Sequence, residues 1–158
     1  MNKDDKIFEE IKFGFLNPYK IAGMGEPWSM KLERTFQLLK QKGIGGILTL
    51  TEDDLYGPDY VKSGFIHHHE PIDDCEPPDK KGMDRAIEFI DSLLEKGIGV
   101  SVHCYEGRGR TGTILCGWLG LKESLRFEDA LKRLNELRQY NVITPSQRAF
   151  LSEYLMAS

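Results

Sequence analysis

Cys104 and Arg110 stand six residues apart, with Gly107 and Gly109 between them, in the stretch Val100-Ser-Val-His-Cys-Tyr-Glu-Gly-Arg-Gly-Arg-Thr-Gly112. A thiol and a guanidinium at that spacing suit nucleophilic attack on an anionic group. The apolar run Ile98–His103 reads as a buried strand, and helical spacing resumes near Arg110. A glycine-rich turn between strand and helix can curl its backbone N–H groups inward. Together with the helix N-terminus these form an anion site. A thiolate in that cradle gains the same stabilisation as a phosphate, so Cys104 is expected to react as a thiolate. The planar fork of Arg110 can grip two phosphoryl oxygens at once. Nucleophile, cradle and clamp thus fall within seven residues.

The elements needed to position this loop are legible around it. Tyr19–Ala22, Gly46–Leu50 and Phe65–His69 read as further strands. Ser29 is a candidate cap for a helix carrying Leu32, Phe36 and Leu39 on one face, with Gly43 ending it. Gly57-Pro58 marks a turn, and Asp73–Pro78 a loop, because Pro77-Pro78 cannot continue a strand or a helix interior. Met83, Ile87, Ile90 and Leu94 recur at helical spacing up to Gly97. A helix runs from about Arg110 to Leu121, and two more follow. One carries Phe127, Leu131 and Leu134, and the other starts at Thr144-Pro145. The expected fold is a single α/β domain over residues 1–158, with a central, mostly parallel sheet of four to five strands flanked by helices.

Composition narrows the function. With 40% hydrophobic and 29% charged residues the chain reads as globular, and no apolar run reaches the roughly 20 residues of a membrane span. A net charge of −4 argues against a nucleic-acid surface. The charged start lacks the apolar region of a secretory signal, so a cytoplasmic location is expected, and the expected oligomeric state is a monomer. Three cysteines, Cys75, Cys104 and Cys116, make no disulfide framework and no zinc-finger spacing. Cys75 reads as a spare thiol, with a protective disulfide to Cys104 under oxidants as the alternative. His67 and His69 would share a strand face, but two ligands do not make a structural zinc site. Gly107-x-Gly109-x-x-Gly112 also fits a dinucleotide-binding fingerprint, yet no strand is readable after residue 122, as that fold requires.

His103-Cys104-x-x-Gly107-x-x-Arg110-Thr111-Gly112 resembles the phosphate-binding loop of the protein tyrosine phosphatase superfamily. His69-Glu70-Pro71-Ile72-Asp73-Asp74 is similar to the segment that carries that family's general acid, and Asp74 precedes Cys104 by 30 residues, as in small dual-specificity members. Thr144-x-x-Gln147 resembles a segment whose glutamine places the hydrolytic water. It is equally a capping box, and both readings can hold together. Phe15–Gly23 and Leu48–Glu52 are similar to the smallest atypical members. The acid-before-cysteine order excludes the low-molecular-weight phosphatases.

The resemblance implies a phosphomonoester hydrolase that needs no metal or other cofactor and passes through a phosphocysteine. Cys104 would be the nucleophile, Arg110 the clamp and Asp74 the proton donor, with Asp73 as the alternative. Thr111 would assist the sulfur and Gln147 the water. Tyr105, Glu106, Gly107, Arg108, Gly109 and Arg110 would hold phosphate, and His103 would orient the loop. A phosphorylated protein or peptide is the favoured substrate, carrying phosphotyrosine or also phosphoserine and phosphothreonine. Arg108 keeps a phosphoinositide open, because a second guanidinium suits polyanions, whereas Glu106 opposes it. A phosphate-binding adaptor without turnover is the non-enzymatic alternative.

Overall fold

Four parallel strands end at one edge of a sheet, and the loops that leave that edge carry the residues singled out above. The computed structural model describes residues 1–156. Along the chain run α1 (Lys3–Glu10), β1 (Gly14–Phe15), β2 (Ile21–Met24), a 3₁₀ turn (Ser29–Lys31), α2 (Leu32–Gln41), β3 (Ile44–Thr49), α3 (Gly57–Lys62) and β4 (Ile66–His69). Then follow α4 (Lys80–Leu94), β5 (Gly99–His103), α5 (Gly109–Glu123), α6 (Phe127–Leu137) and α7 (Pro145–Met156). The strand order is β1-β2-β5-β3-β4, with only the β1–β2 pair antiparallel. This is the expected mostly parallel sheet of four to five strands, with the short β1 as the fifth.

Register explains why chemistry collects at one edge. His103 pairs with Met24 on one side and Thr49 on the other, and Thr49 pairs with His69. The segments after Met24, Thr49, His69 and His103 therefore emerge together. The carboxyl edge of a parallel sheet is where ligands of open α/β folds bind.

Alternation along the strands feeds two cores. Ile21, Leu48, Val100 and Val102 pack with α4, α5, α6 and α7, whereas Ala22, Met24 and Ile47 pack with Phe36, Tyr60 and Phe65 on the other face. Helix α5 is buried on every side from Arg110 to Gly120, because the sheet, α4, α6 and α7 surround it. A helix apolar all round belongs in such a place, and it anchors the loop that precedes it.

Three local readings need correction. Gly57-Pro58 opens α3 instead of making a turn, since proline is tolerated in a first helical turn. Ser29 begins the 3₁₀ turn, and α2 starts at Leu32 without a side-chain cap. Helix α1 was not anticipated; the Asn2 side chain accepts from Asp5 N–H at 2.8 Å and starts it. Helix α5 leads into α6 rather than a strand, so the dinucleotide-binding pattern has no counterpart.

Candidate active site

Residues 104–108 bridge β5 and α5. Gly107 has φ +75, and a Cβ there would lie 2.6 Å from backbone atoms of Met24 and Gly25, so the path admits glycine alone. The turn brings Gly107 N–H within 3.3 Å of Cys104 Sγ, and the Thr111 hydroxyl donates to the same sulfur at 3.1 Å. Cys104 is buried at the N-terminus of α5, where the helix dipole favours negative charge. Of the loop residues predicted to hold phosphate, Gly107 and Arg110 are buried, Arg108 and Gly109 half-buried, and Tyr105 and Glu106 exposed. Glu106 and Arg108 form no ion pair with each other.

Arg110 is 5% exposed and its fork is aimed. Nη1 donates to Glu52 Oε1 at 2.5 Å and to the Ile72 carbonyl at 2.9 Å. Nη2 lies 3.4 Å from Asp74 Oδ1. Glu52 binds both partners, since its Oε2 accepts from Asp74 N–H at 3.3 Å. A hydrogen bond from its own backbone, and then the Arg110 guanidinium, hold the Glu52 carboxyl below the usual carboxylate range.

His103 sits behind the nucleophile. Its Nδ1 is 3.2 Å from the Cys104 carbonyl, which can only accept, so Nδ1 carries the proton. Nε2 then accepts from Thr49 Oγ1 at 2.9 Å or the Tyr60 hydroxyl at 3.1 Å. Burial pushes the imidazole down to about 4, which keeps it neutral. Of the neighbouring histidines, His67 Nε2 meets Thr49 Oγ1 at 2.9 Å and His69 Nε2 meets the Thr51 carbonyl at 2.7 Å. Both are engaged in strand and loop packing.

The loop after β4 carries Asp74, whose side chain is 72% exposed. Asp74 rather than Asp73 makes the contact with Arg110. The loop is tied to the start of α7. The Cys75 carbonyl accepts from Thr144 Oγ1 at 2.8 Å and Ser146 Oγ at 3.2 Å, and the Glu76 carbonyl accepts from Gln147 Nε2 at 3.2 Å. Gln147 is fully buried. Its Oε1 accepts from Thr144 N–H at 3.0 Å, and its own N–H donates to Thr144 Oγ1 at 3.3 Å. That is the capping box, with the side-chain amide additionally holding the acid loop. Cys75 is a free, exposed thiol with φ +66, while burial pushes Cys116 up to about 12.

A thiol with two donors on its sulfur, an aimed guanidinium and a carboxylate beside it form one constellation. The family model described as "Polymorphic toxin system, DSP-PTPase phosphatase" matches residues 22–123, from β2 to the end of α5. The chain belongs to this phosphatase family.

It is similar to the phosphatidylglycerophosphate phosphatase PTPMT2 of Arabidopsis thaliana, 29% identical over 73% of this chain and 53% of the relative. It is also similar to the tyrosine-protein phosphatase cdc-14 of Caenorhabditis elegans, 30% identical over 90% of this chain and 21% of the relative. The chain thus spans about half or less of these curated relatives. The crystal structure of Tk-PTP in the active form superposes with a TM-score of 0.82 at 23% identity, covering 93% of this chain and 98% of the other, which supports the fold.

Two residues of this phosphatase site escaped the sequence reading. Glu52 stands in the sequence only as part of the Leu48–Glu52 segment, yet its carboxylate accepts from Arg110 and orients it. Arg138, at the end of α6, is 2% exposed. Its Nη2 donates to the Gly107 carbonyl at 2.8 Å and the Lys12 carbonyl at 2.9 Å, and its Nη1 to Asn141 Oδ1 at 2.8 Å. Burial pushes its guanidinium down to about 10. A lone arginine on an amphipathic helix reads as a solvated charge, so no local signal marks it.

Proposed function

We propose that the phosphatase hydrolyses phosphomonoesters on proteins through a phosphocysteine, with phosphotyrosine as substrate and phosphoserine or phosphothreonine in addition. The observation that carries this is the environment of Cys104 Sγ, which accepts from Gly107 N–H and Thr111 Oγ1 beside the buried Arg110. Cys104 thiolate attacks phosphorus in line, the S–P bond forms and the P–O bond to the leaving group breaks. Backbone N–H groups of residues 105–110 and Nε and Nη2 of Arg110 hold the equatorial oxygens. Protonated Asp74 gives its proton to the departing oxygen. In the second step Asp74 carboxylate takes a proton from water, whose oxygen attacks phosphorus. The S–P bond breaks, phosphate leaves, and the Thr111 hydroxyl stabilises the returning thiolate. His103 fixes the Cys104 carbonyl, and Gln147 contributes by holding the acid loop. Arg110 and the amides supply the positive charge, so no metal enters the scheme.

The second reading, a phosphoinositide substrate, rests on Arg108, which stands at the start of α5 without an ion pair to Glu106. A relative named for a phospholipid substrate keeps it in view. kcat/KM measured in EDTA for a phosphotyrosine peptide, a phosphothreonine peptide and a soluble phosphoinositide decides between them. Peptide turnover that drops more than about 10⁴-fold in Cys104→Ser is the expected result. Faster phosphoinositide turnover would replace it with the second reading, and phosphate binding without any turnover would leave an adaptor.

A further inference from the structure

A cavity of about 420 Å³ opens beside the phosphate loop, and two of its lining residues, Tyr105 and Glu106, belong to that loop. Its far wall is the segment after β2, which includes Glu26 and Trp28. The two walls are fixed to each other. Glu26 N–H donates to the Tyr105 carbonyl at 2.9 Å, and a Cβ on Gly25 would lie 3.0 Å from that same carbonyl oxygen. Whatever occupies this cavity is therefore held at a set position relative to the phosphate.

The lining has a definite chemistry. Three carboxylates, Glu10, Glu26 and Glu106, face one cation, Lys12. Glu10 is already paired with Lys31 at 3.4 Å. Among the described residues, neither the Glu26 nor the Glu106 carboxylate makes a hydrogen bond or ion pair. Burial raises the Glu26 carboxyl, and the charge of Arg110 partly offsets this. Trp28 and Tyr105 are 59% and 68% exposed, and both are large aromatic surfaces left open to solvent. Unpaired carboxylates between exposed aromatic faces attract a cation by charge and by the ring quadrupole. A polyphosphorylated headgroup or an anionic membrane would meet those carboxylates with the wrong sign.

We propose that this cavity is a specificity subsite that takes an arginine or lysine side chain flanking the phosphorylated residue of a peptide substrate. The assignment rests on the phosphoprotein reading above and deepens it. It also gives Glu106 a role, for its backbone serves the phosphate while its side chain faces the neighbouring residue of the substrate.

Three phosphotyrosine peptides, flanked by arginine, alanine or glutamate, test it through the ratios of their kcat/KM values, with a soluble phosphoinositide and anionic vesicles alongside. The arginine-flanked peptide should exceed the glutamate-flanked one by about tenfold at low salt, and the ratio should shrink as salt screens the charges. Glu26→Gln and Trp28→Ala should each lower that ratio, and Glu26→Lys should invert it. Because each ratio is taken within one variant, a general loss of activity does not imitate the effect, and Trp28 is exposed enough for its truncation to leave folding intact. Equal turnover of all three peptides would overturn the subsite while leaving the phosphoprotein reading in place. Faster hydrolysis of the phosphoinositide than of any peptide would overturn that reading itself. Sedimentation with anionic vesicles together with peptide-blind turnover would make the cavity a membrane contact and end the proposal.

Discussion

The phosphate loop and the acid loop meet at Arg110 but are built in opposite ways. The phosphate loop is held from every side. Gly107 is wedged against Met24 and Gly25, Arg138 grips its carbonyl from behind, His103 holds the Cys104 carbonyl, and α5 is buried behind it. The acid loop lies on the surface. Among its links to the body are the three bonds from the start of α7, one long bond from Asp74 N–H to Glu52, the Asp74 carboxylate beside Arg110, the Ile72 carbonyl on Arg110 and the Ile72 N–H on the Leu50 carbonyl. Phosphate must meet a preorganised cradle, because any reorganisation there would cost binding and rate together. The proton donor proposed for both steps would belong on an element that can leave to admit a bulky substrate.

That contrast predicts that lesions in the acid loop spare phosphate binding and lesions in the phosphate loop do not. Asp74→Ala should lower kcat by about 10²–10³-fold for poor leaving groups and far less for good ones, with vanadate affinity nearly unchanged. An equal loss for all leaving groups would remove Asp74 from the acid's role. The same substitution at Asp73 should have little effect, since Asp73 does not touch Arg110.

Gly107→Ala should cost about 10²-fold in kcat/KM, because a displacement of about 1 Å in a catalytic loop is worth that much. Unlike Asp74→Ala it should weaken vanadate binding in proportion, as titration calorimetry would show. Intact binding in this variant would mean that the loop is softer than its contacts indicate.

Thr144→Ala removes a cap and one tie on the acid loop. Thermal unfolding should show a loss of about 1 kcal/mol, and kcat should fall by less than tenfold with unchanged vanadate affinity. An unaltered kcat would show that α7 does not hold the acid loop in its working position.

A separate effect concerns pH. Burial lowers His103 from 6.5 to about 4 in the folded protein. Between those values the unfolded chain binds the proton that the folded chain refuses, so stability falls as pH drops from 6.5 toward 4 and is fully present above 6.5. Denaturant melts across that window should show the decline, and His103→Asn should flatten it. A slope that survives the substitution would assign it to other groups.

What could be read in the chain follows sequence distance. The nucleophile, the glycine of the turn, Thr111 and the clamp sit on consecutive turns of one strand–loop–helix unit, so their geometry is written in their spacing. The parallel sheet is legible for a similar reason, since buried strands show as apolar runs and helices as periodic ones. Helix starts were less legible. Gly57-Pro58 has the composition of a turn and opens α3, while α1 shows little beyond Asn2 and an acidic first turn.

Spacing along the chain suffices for the loop from Cys104 to Arg110, for the order of Asp74 before Cys104, and for the sheet that presents them. Packing brings the distant groups to that loop: Glu52 on Arg110 across 58 residues, Arg138 on Gly107 across 31, and α7 on the loop after β4 across about 70. It also decided that Glu26 and Trp28 stand opposite Tyr105 and Glu106 around one cavity. The physical reason is that a hydrogen bond or a shared cavity between distant segments is fixed by sheet register and helix packing, and a single residue's type carries no mark of the partner that folding will bring to it.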